Sequence, residues 1–196
     1  MKPLFLGGQP AIDFLNTALT PDGEAVETIP DGRAFLEWFV AAELISEAEA
    51  AKLSRRFGAK ALDTAAAEAR KVREWAREWL ARWRVRPGAD YGDEIAALNK
   101  LLAREASTHE LVATKGGLKL EERPQLESPN ALISLVAMQL AQLLAAEDPS
   151  LIRECAGTGC TLTFIDRTKA HRRMFCSAAA CGNRAKVAAF RSRQRR

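Results

Sequence analysis

The sequence predicts a mainly α-helical chain with a small β-hairpin, an α+β fold in which a helical N-terminal domain, residues 1–150, is followed by a treble-clef-like four-cysteine finger, residues 151–196. Three observations predict it. Apolar residues recur at three- and four-residue spacing through most of the first 150 positions, the periodicity of amphipathic helices. All four cysteines, Cys155, Cys160, Cys176 and Cys181, lie in the last 42 residues. Residues 151–196 hold 11 of the 29 Lys and Arg but only two acids, Glu154 and Asp166, for a net +9, which leaves residues 1–150 at −5. A weakly acidic body with a strongly basic tail points to a polyanionic partner.

The elements follow in order. Ile12, Phe14, Leu15 and Leu19 line either a short helix or an extended segment entering the core. Asp31 caps a helix with Phe35, Leu36, Phe39 and Val40 on its inner face, and Ser46 with Glu49 forms a capping box for the next, ending near Gly58. An Ala-rich helix from 59 to 84 carries the stripe Val72, Trp75, Trp79 and Trp83, which reads as core, and Pro87-Gly88 stops it. A helix over 90–107 places Ile95, Leu98, Leu101 and Leu102 inward. Segments 110–114 and 118–123 alternate around Lys115-Gly116-Gly117 as a β-hairpin, with His109 beside it at the surface. Ser128-Pro129 opens an apolar helix over 130–146, and Asp148-Pro149 makes a one-turn connector to the cysteines.

The N-terminus lacks the apolar stretch of a secretory signal, and the longest apolar run, 131–146, is shorter than the roughly 20 residues that span a bilayer. A cytoplasmic protein without membrane attachment is expected. In that setting four clustered cysteines favour a metal, with two disulfides or four free thiols as the alternatives. The spacing is two Cys-x4-Cys knuckles fifteen residues apart, which supplies ligands two at a time to one structural Zn²⁺. Gly157 and Gly159 suit the tight first knuckle, and a small hairpin through Leu162, Phe164, Arg167 to Lys169 and Met174-Phe175 returns the chain to the metal. Four thiolates close the coordination shell, so a catalytic zinc and an enzyme are not expected.

Cys181 leads into a basic helix. At 100° per residue, Val187 and Phe190 form a narrow apolar stripe that seats the helix, Arg184, Arg191 and Arg195 cluster on one flank, and Lys186 and Arg193 lie on the other. Guanidinium groups suit phosphate oxygens and guanine edges. Arg172, Arg173, Arg184, Lys186, Arg191, Arg193 and Arg195 are therefore the candidate nucleic-acid contacts.

At these residues the chain resembles the CGNR zinc-finger family, named for the tetrapeptide found here as Cys181-Gly182-Asn183-Arg184. Cys155-Ala156-Gly157, Cys160, Phe164-Ile165-Asp166, Arg173-Met174-Phe175-Cys176-Ser177, Ala185-Lys186, Arg191 and Arg193 fall where that family's pattern has them, Phe175 standing where Trp is usual. The family pairs this finger with an N-terminal ABATE domain, to whose features Asp13-Phe14-Leu15-Asn16-Thr17, the Arg70 to Trp83 helix and Leu98-Asn99 are similar. The resemblance implies a bacterial stress-linked transcription regulator that binds DNA through the finger.

A regulator would use the body to sense a small-molecule or protein effector, or to form a homodimer. Asp13, Asn16 and Thr17, polar residues in an apolar segment, are the candidates for ligand contact. Two other readings remain at this point: a zinc-stabilised protein-interaction or assembly module, and an HNH-like nuclease using His171 with Asp166.

Overall fold

The computed structural model describes residues 3–20, 23–103, 107–114 and 117–194. The body is built around α5 (Ala131–Ala146), whose residues are apolar on nearly every side; Leu132, Ile133, Val136 and Ala137 are wholly buried. It packs against α1 (Pro10–Leu15), α3 (Glu47–Val85) and α4 (Gly92–Leu102), while α2 (Gly32–Ala41) lies along α3. Phe14 meets Trp38 edge-on at 5.4 Å, and Trp38 meets Phe39 at 5.1 Å, so aromatic rings join α1 to α2. The α2–α3 approach requires Gly32, because a Cβ there would stand 2.3 Å from the Leu62 Cβ.

Local signals act largely as the sequence indicates. The Asp31 carboxylate accepts the Ala34 amide, and Ser46 and Glu49 cap each other's ends reciprocally. α3 is two helices that meet at a kink where the sequence places the break, at Gly58, whose φ of +72° lies outside helical space. Trp79 is buried and Trp75 and Trp83 are partly buried against the core. The ambiguous opening segment is both things: α1, then a two-residue strand β1 (Ala18–Leu19) paired antiparallel with β2 (Val26–Glu27).

Other boundaries differ. α4 ends at Leu102, and its Ile95, expected to face inward, is about half exposed at the edge of a groove with Tyr91 and Leu144. Ser128 and Pro129 form a turn before α5, and Asn130 occupies the cap position without a side-chain bond. The hairpin forms with β3 (Ser107–Thr114) and β4 (Gly117–Pro124) in the register Leu111 opposite Leu120. Lys115, Gly116, Arg195 and the side chain of His109 lie outside the described residues. No described helix is long and apolar enough to cross a membrane.

After a 3₁₀ turn (Pro149–Leu151), capped by the Asp148 carboxylate, the chain enters a second hairpin, β5 (Ile152–Glu154) with β6 (Thr163–Ile165). No flexible linker intervenes. Ile152 and Ile165 bury themselves in the main core, whereas Leu19 of the N-terminal segment joins the finger's own small core with Leu162 and Phe164. The chain ends in α6 (Asn183–Gln194).

Candidate metal centre and basic helix

The first knuckle is the turn of the β5/β6 hairpin, with Cys155 just after β5 and Cys160 shortly before β6. Gly157 keeps this approach open: a Cβ would sit 3.0 Å from the Cys181 sulfur and 3.4 Å from that of Cys155, and would press the ligands aside. Gly159 turns the loop at φ +74°. On the second knuckle, Ser177 follows Cys176, and its hydroxyl accepts the Ala180 amide at the start of a π turn (Ala178–Gly182) that carries Cys181 directly into α6. Two ligands thus come from a hairpin turn and two from a helix start. The finger's hairpin flanks the first knuckle; the stretch from Asp166 to Phe175 between the knuckles forms turns and bends.

The four sulfurs lie within 4.8 Å of one another. Cys176 Sγ is 3.9 Å from Cys160 Sγ and 3.6 Å from Cys181 Sγ. A tetrahedron with Zn–S bonds of about 2.3 Å sets its sulfurs about 3.8 Å apart, so the donor set fits one structural Zn²⁺. Cys155 Sγ accepts the Gly157 amide at 3.4 Å and the Cys176 amide at 3.3 Å, the amide-to-sulfur contacts of a knuckle. Burial pushes the Cys176 and Cys181 thiols well above their ordinary range, Cys181 up to about 12. Ionising this set together calls for a cation at its centre.

The loop between the knuckles is organised by Asp166, which is fully buried and accepts the Thr168 amide at 3.0 Å, the Thr168 hydroxyl at 2.6 Å and the Arg173 amide at 2.8 Å. Burial alone would push its carboxyl up; these donors, with Arg153 at 3.7 Å, outweigh burial and hold it below the usual range. His171 sits at φ +47°, with Nδ1 3.1 Å from the Asp166 backbone carbonyl. It is outside the cysteine cluster, and the Asp166 carboxylate that a His–Asp pair would use is occupied by Thr168 and Arg173.

The basic residues separate into two sets. Arg173 turns inward: its guanidinium stacks over the Phe164 ring at 4.2 Å and donates to the backbone carbonyls of Phe175 and Cys176. Arg184 reaches back to Cys181, with Nη2 3.0 Å from the sulfur. Arg172, Lys186, Arg191 and Arg193 are exposed, and none of them has an acidic partner among the described residues. No residue of α6 is buried; Val187 is 46 % and Phe190 54 % exposed, so the expected seating of the helix on its apolar stripe does not occur. The helix is held at its base by the second knuckle and projects from it.

Asp13, Asn16 and Thr17 are buried, and each has internal partners. Asp13 accepts the Gly7 amide at 2.7 Å. Asn16 makes two hydrogen bonds to Thr163 of the finger, accepting its amide at 2.9 Å and donating to its carbonyl at 2.8 Å. The Thr17 hydroxyl donates to the Phe14 carbonyl and accepts from Arg73, which is 4 % exposed and forms a two-pronged ion pair with Glu27. None of the three lines a described cavity. Sequence reasoning passed over Arg73 and Glu27, and weighed Asp166 as a partner for His171 where the structure makes it the organiser of the loop between the knuckles.

A helical body bearing a closed four-cysteine metal finger, with an exposed basic helix growing from the last ligand, defines the class as a zinc-finger protein. Residues 152–194 match the CGNR zinc finger, and residues 8–147, more than half the chain, match the ABATE family, described as "Putative stress-induced transcription regulator". The chain belongs to the ABATE family, with a CGNR zinc finger at its C-terminal end. No curated protein matches it.

Proposed function

We propose that the protein is a non-catalytic transcription regulator that grips DNA with α6 and the loop preceding the second knuckle, and whose body answers to an effector. The observation that carries this reading is the projecting helix. Its Lys186, Arg191 and Arg193, like Arg172 of the loop before the second knuckle, are exposed cations without acidic partners among the described residues, on a helix rooted in a four-cysteine metal site. Unpaired cations on an accessible helix are suited to phosphate contact and to release of condensed counterions. For the effector, the body offers a groove of about 510 Å³ between α3, α4 and α5, bounded by Trp83, Tyr91, Ile95 and Leu144, a size and lining suited to an apolar small molecule.

The test is binding of the zinc-loaded full chain to a random-sequence duplex library at several salt concentrations. Affinity should fall steeply with salt, and replacing Lys186 and Arg193 together with Ala should flatten the logarithmic slope by about two while leaving zinc content unchanged. Absence of duplex binding at low salt overturns the reading. A protein-interaction role has its own supporting observation, a 570 Å³ groove beside α6 floored by Leu4, Leu6, Leu162 and Val187. A salt-insensitive protein complex that Leu6→Asp abolishes would favour it.

A further inference from the structure

We propose that Arg184, although it stands in the basic helix, belongs to the metal centre: it donates to the Cys181 thiolate, offsets charge at the zinc site and slows loss of the metal. The inference is independent of whether α6 binds DNA. Cys181 lies in the π turn and Arg184 in the first turn of α6, three residues later. Helical side chains lean toward the N-terminus of their helix, so a long side chain at that spacing reaches back over the ligand. The geometry is met, with Nη2 3.0 Å from Cys181 Sγ.

The chemistry gives this contact a purpose. Four thiolates around Zn²⁺ carry a net charge of about −2. Cys155 is served by two backbone amides, from Gly157 and Cys176. Cys181 receives a charged side-chain donor, which draws electron density from sulfur and disfavours its protonation and dissociation. Hydrogen bonds to metal ligands of this kind typically change metal affinity by about 10- to 100-fold when removed. Lys186, two residues further along the same helix and pointing about 200° away on the helical wheel, has no contact with a sulfur among the described residues and is the natural control.

The experiment uses the zinc-loaded full chain and two measurements that need no DNA: the rate of zinc transfer to a colorimetric chelator, and the thiolate-to-metal charge-transfer band of the Co²⁺-substituted protein. Arg184→Ala should release zinc roughly 10-fold faster and move the Co²⁺ band to lower energy, because the sulfur becomes a stronger donor. Arg184→Gln, which keeps an N–H but loses the charge, should fall between Ala and the native chain. Lys186→Ala should leave both readouts unchanged. Release rates and bands in Arg184→Ala and Arg184→Gln that match the native chain overturn the proposal, as does a Lys186→Ala effect equal to that of Arg184→Ala. Should Arg184→Ala fail to fold, the Gln variant alone decides, since it retains most of the side-chain volume.

Discussion

At the scale of single residues, the polar groups buried in α1 and just after it are allocated to the fold, and the allocation of Asp13 depends on pH. This residue is 6 % exposed and accepts the Gly7 amide at 2.7 Å. Burial pushes its carboxyl up to about 6, with the Gly7 and Leu6 amides offsetting part of the rise. An unfolded Asp titrates near 3.9, so the folded state holds the proton more tightly. The stability this contributes is complete below about pH 4 and is lost as pH rises through about 6. Between pH 7.5 and 5.5, with zinc content checked at each point, acidification should therefore raise the urea midpoint of the native chain relative to Asp13→Asn. Equal slopes for the two proteins in that window would remove Asp13 as the cause.

At the scale of elements, the β5/β6 hairpin shows what the body does for the finger. Two three-residue strands make a ribbon too short to be stable alone. The outer edge of β6 is closed from the other end of the chain: the Gly7 carbonyl accepts the Ile165 amide at 2.8 Å, and the Asn16 side chain satisfies both backbone groups of Thr163. Asn16 thus serves as one residue of a third strand. Asn16→Ala would leave an amide and a carbonyl without partners in a part-buried place, a loss of about 1–3 kcal/mol. Urea unfolding should show it, and hydrogen exchange at the Thr163 amide should accelerate more than at amides of α5. Unchanged exchange at Thr163 would mean that the edge is protected by something other than Asn16. This arrangement also marks the limit of what could be read beforehand. Caps such as Asp31 and Ser46, the Gly58 break and the cysteine spacing obey rules that act within a few residues. Asn16 and Thr163 are separated by 147 positions, and Arg73 and Glu27 by 46, so neither pairing leaves a local trace. Likewise arginines in a basic tail look alike until the fold turns Arg173 onto Phe164 and Arg184 onto Cys181.

At the scale of the whole molecule, finger and body share a core. The charge and cysteine asymmetry visible in the sequence suggests two modules meeting near residue 150, and the hydrophobic packing runs across that boundary in both directions. Ile152 and Ile165 of the finger are within 2 % of full burial among residues of the body, while Leu4, Leu6, Leu19 and Val26 from the start of the chain pack with the finger's Leu162 and Phe164. Ion pairs from Arg84 to Glu154 and from Arg167 to Glu147 cross the same seam; in each one partner, Glu154 or Arg167, is largely exposed, so solvent screens the pair and its contribution is small. Since the hairpin is short and its knuckle is drawn together by metal, removing zinc should loosen β5 and β6 and expose both isoleucines. Each contributes about 1.5–3 kcal/mol when buried, so full exposure of both would cost the body about 3–6 kcal/mol. The tryptophans make this measurable without ambiguity of location, because Trp38, Trp75, Trp79 and Trp83 all belong to the body and the finger has none. Urea unfolding followed by tryptophan fluorescence should shift to lower denaturant on chelation and recover on addition of Zn²⁺. A body whose midpoint ignores the chelator, while zinc is demonstrably gone, would mean that the finger is an independent module and that the shared core does not couple the two.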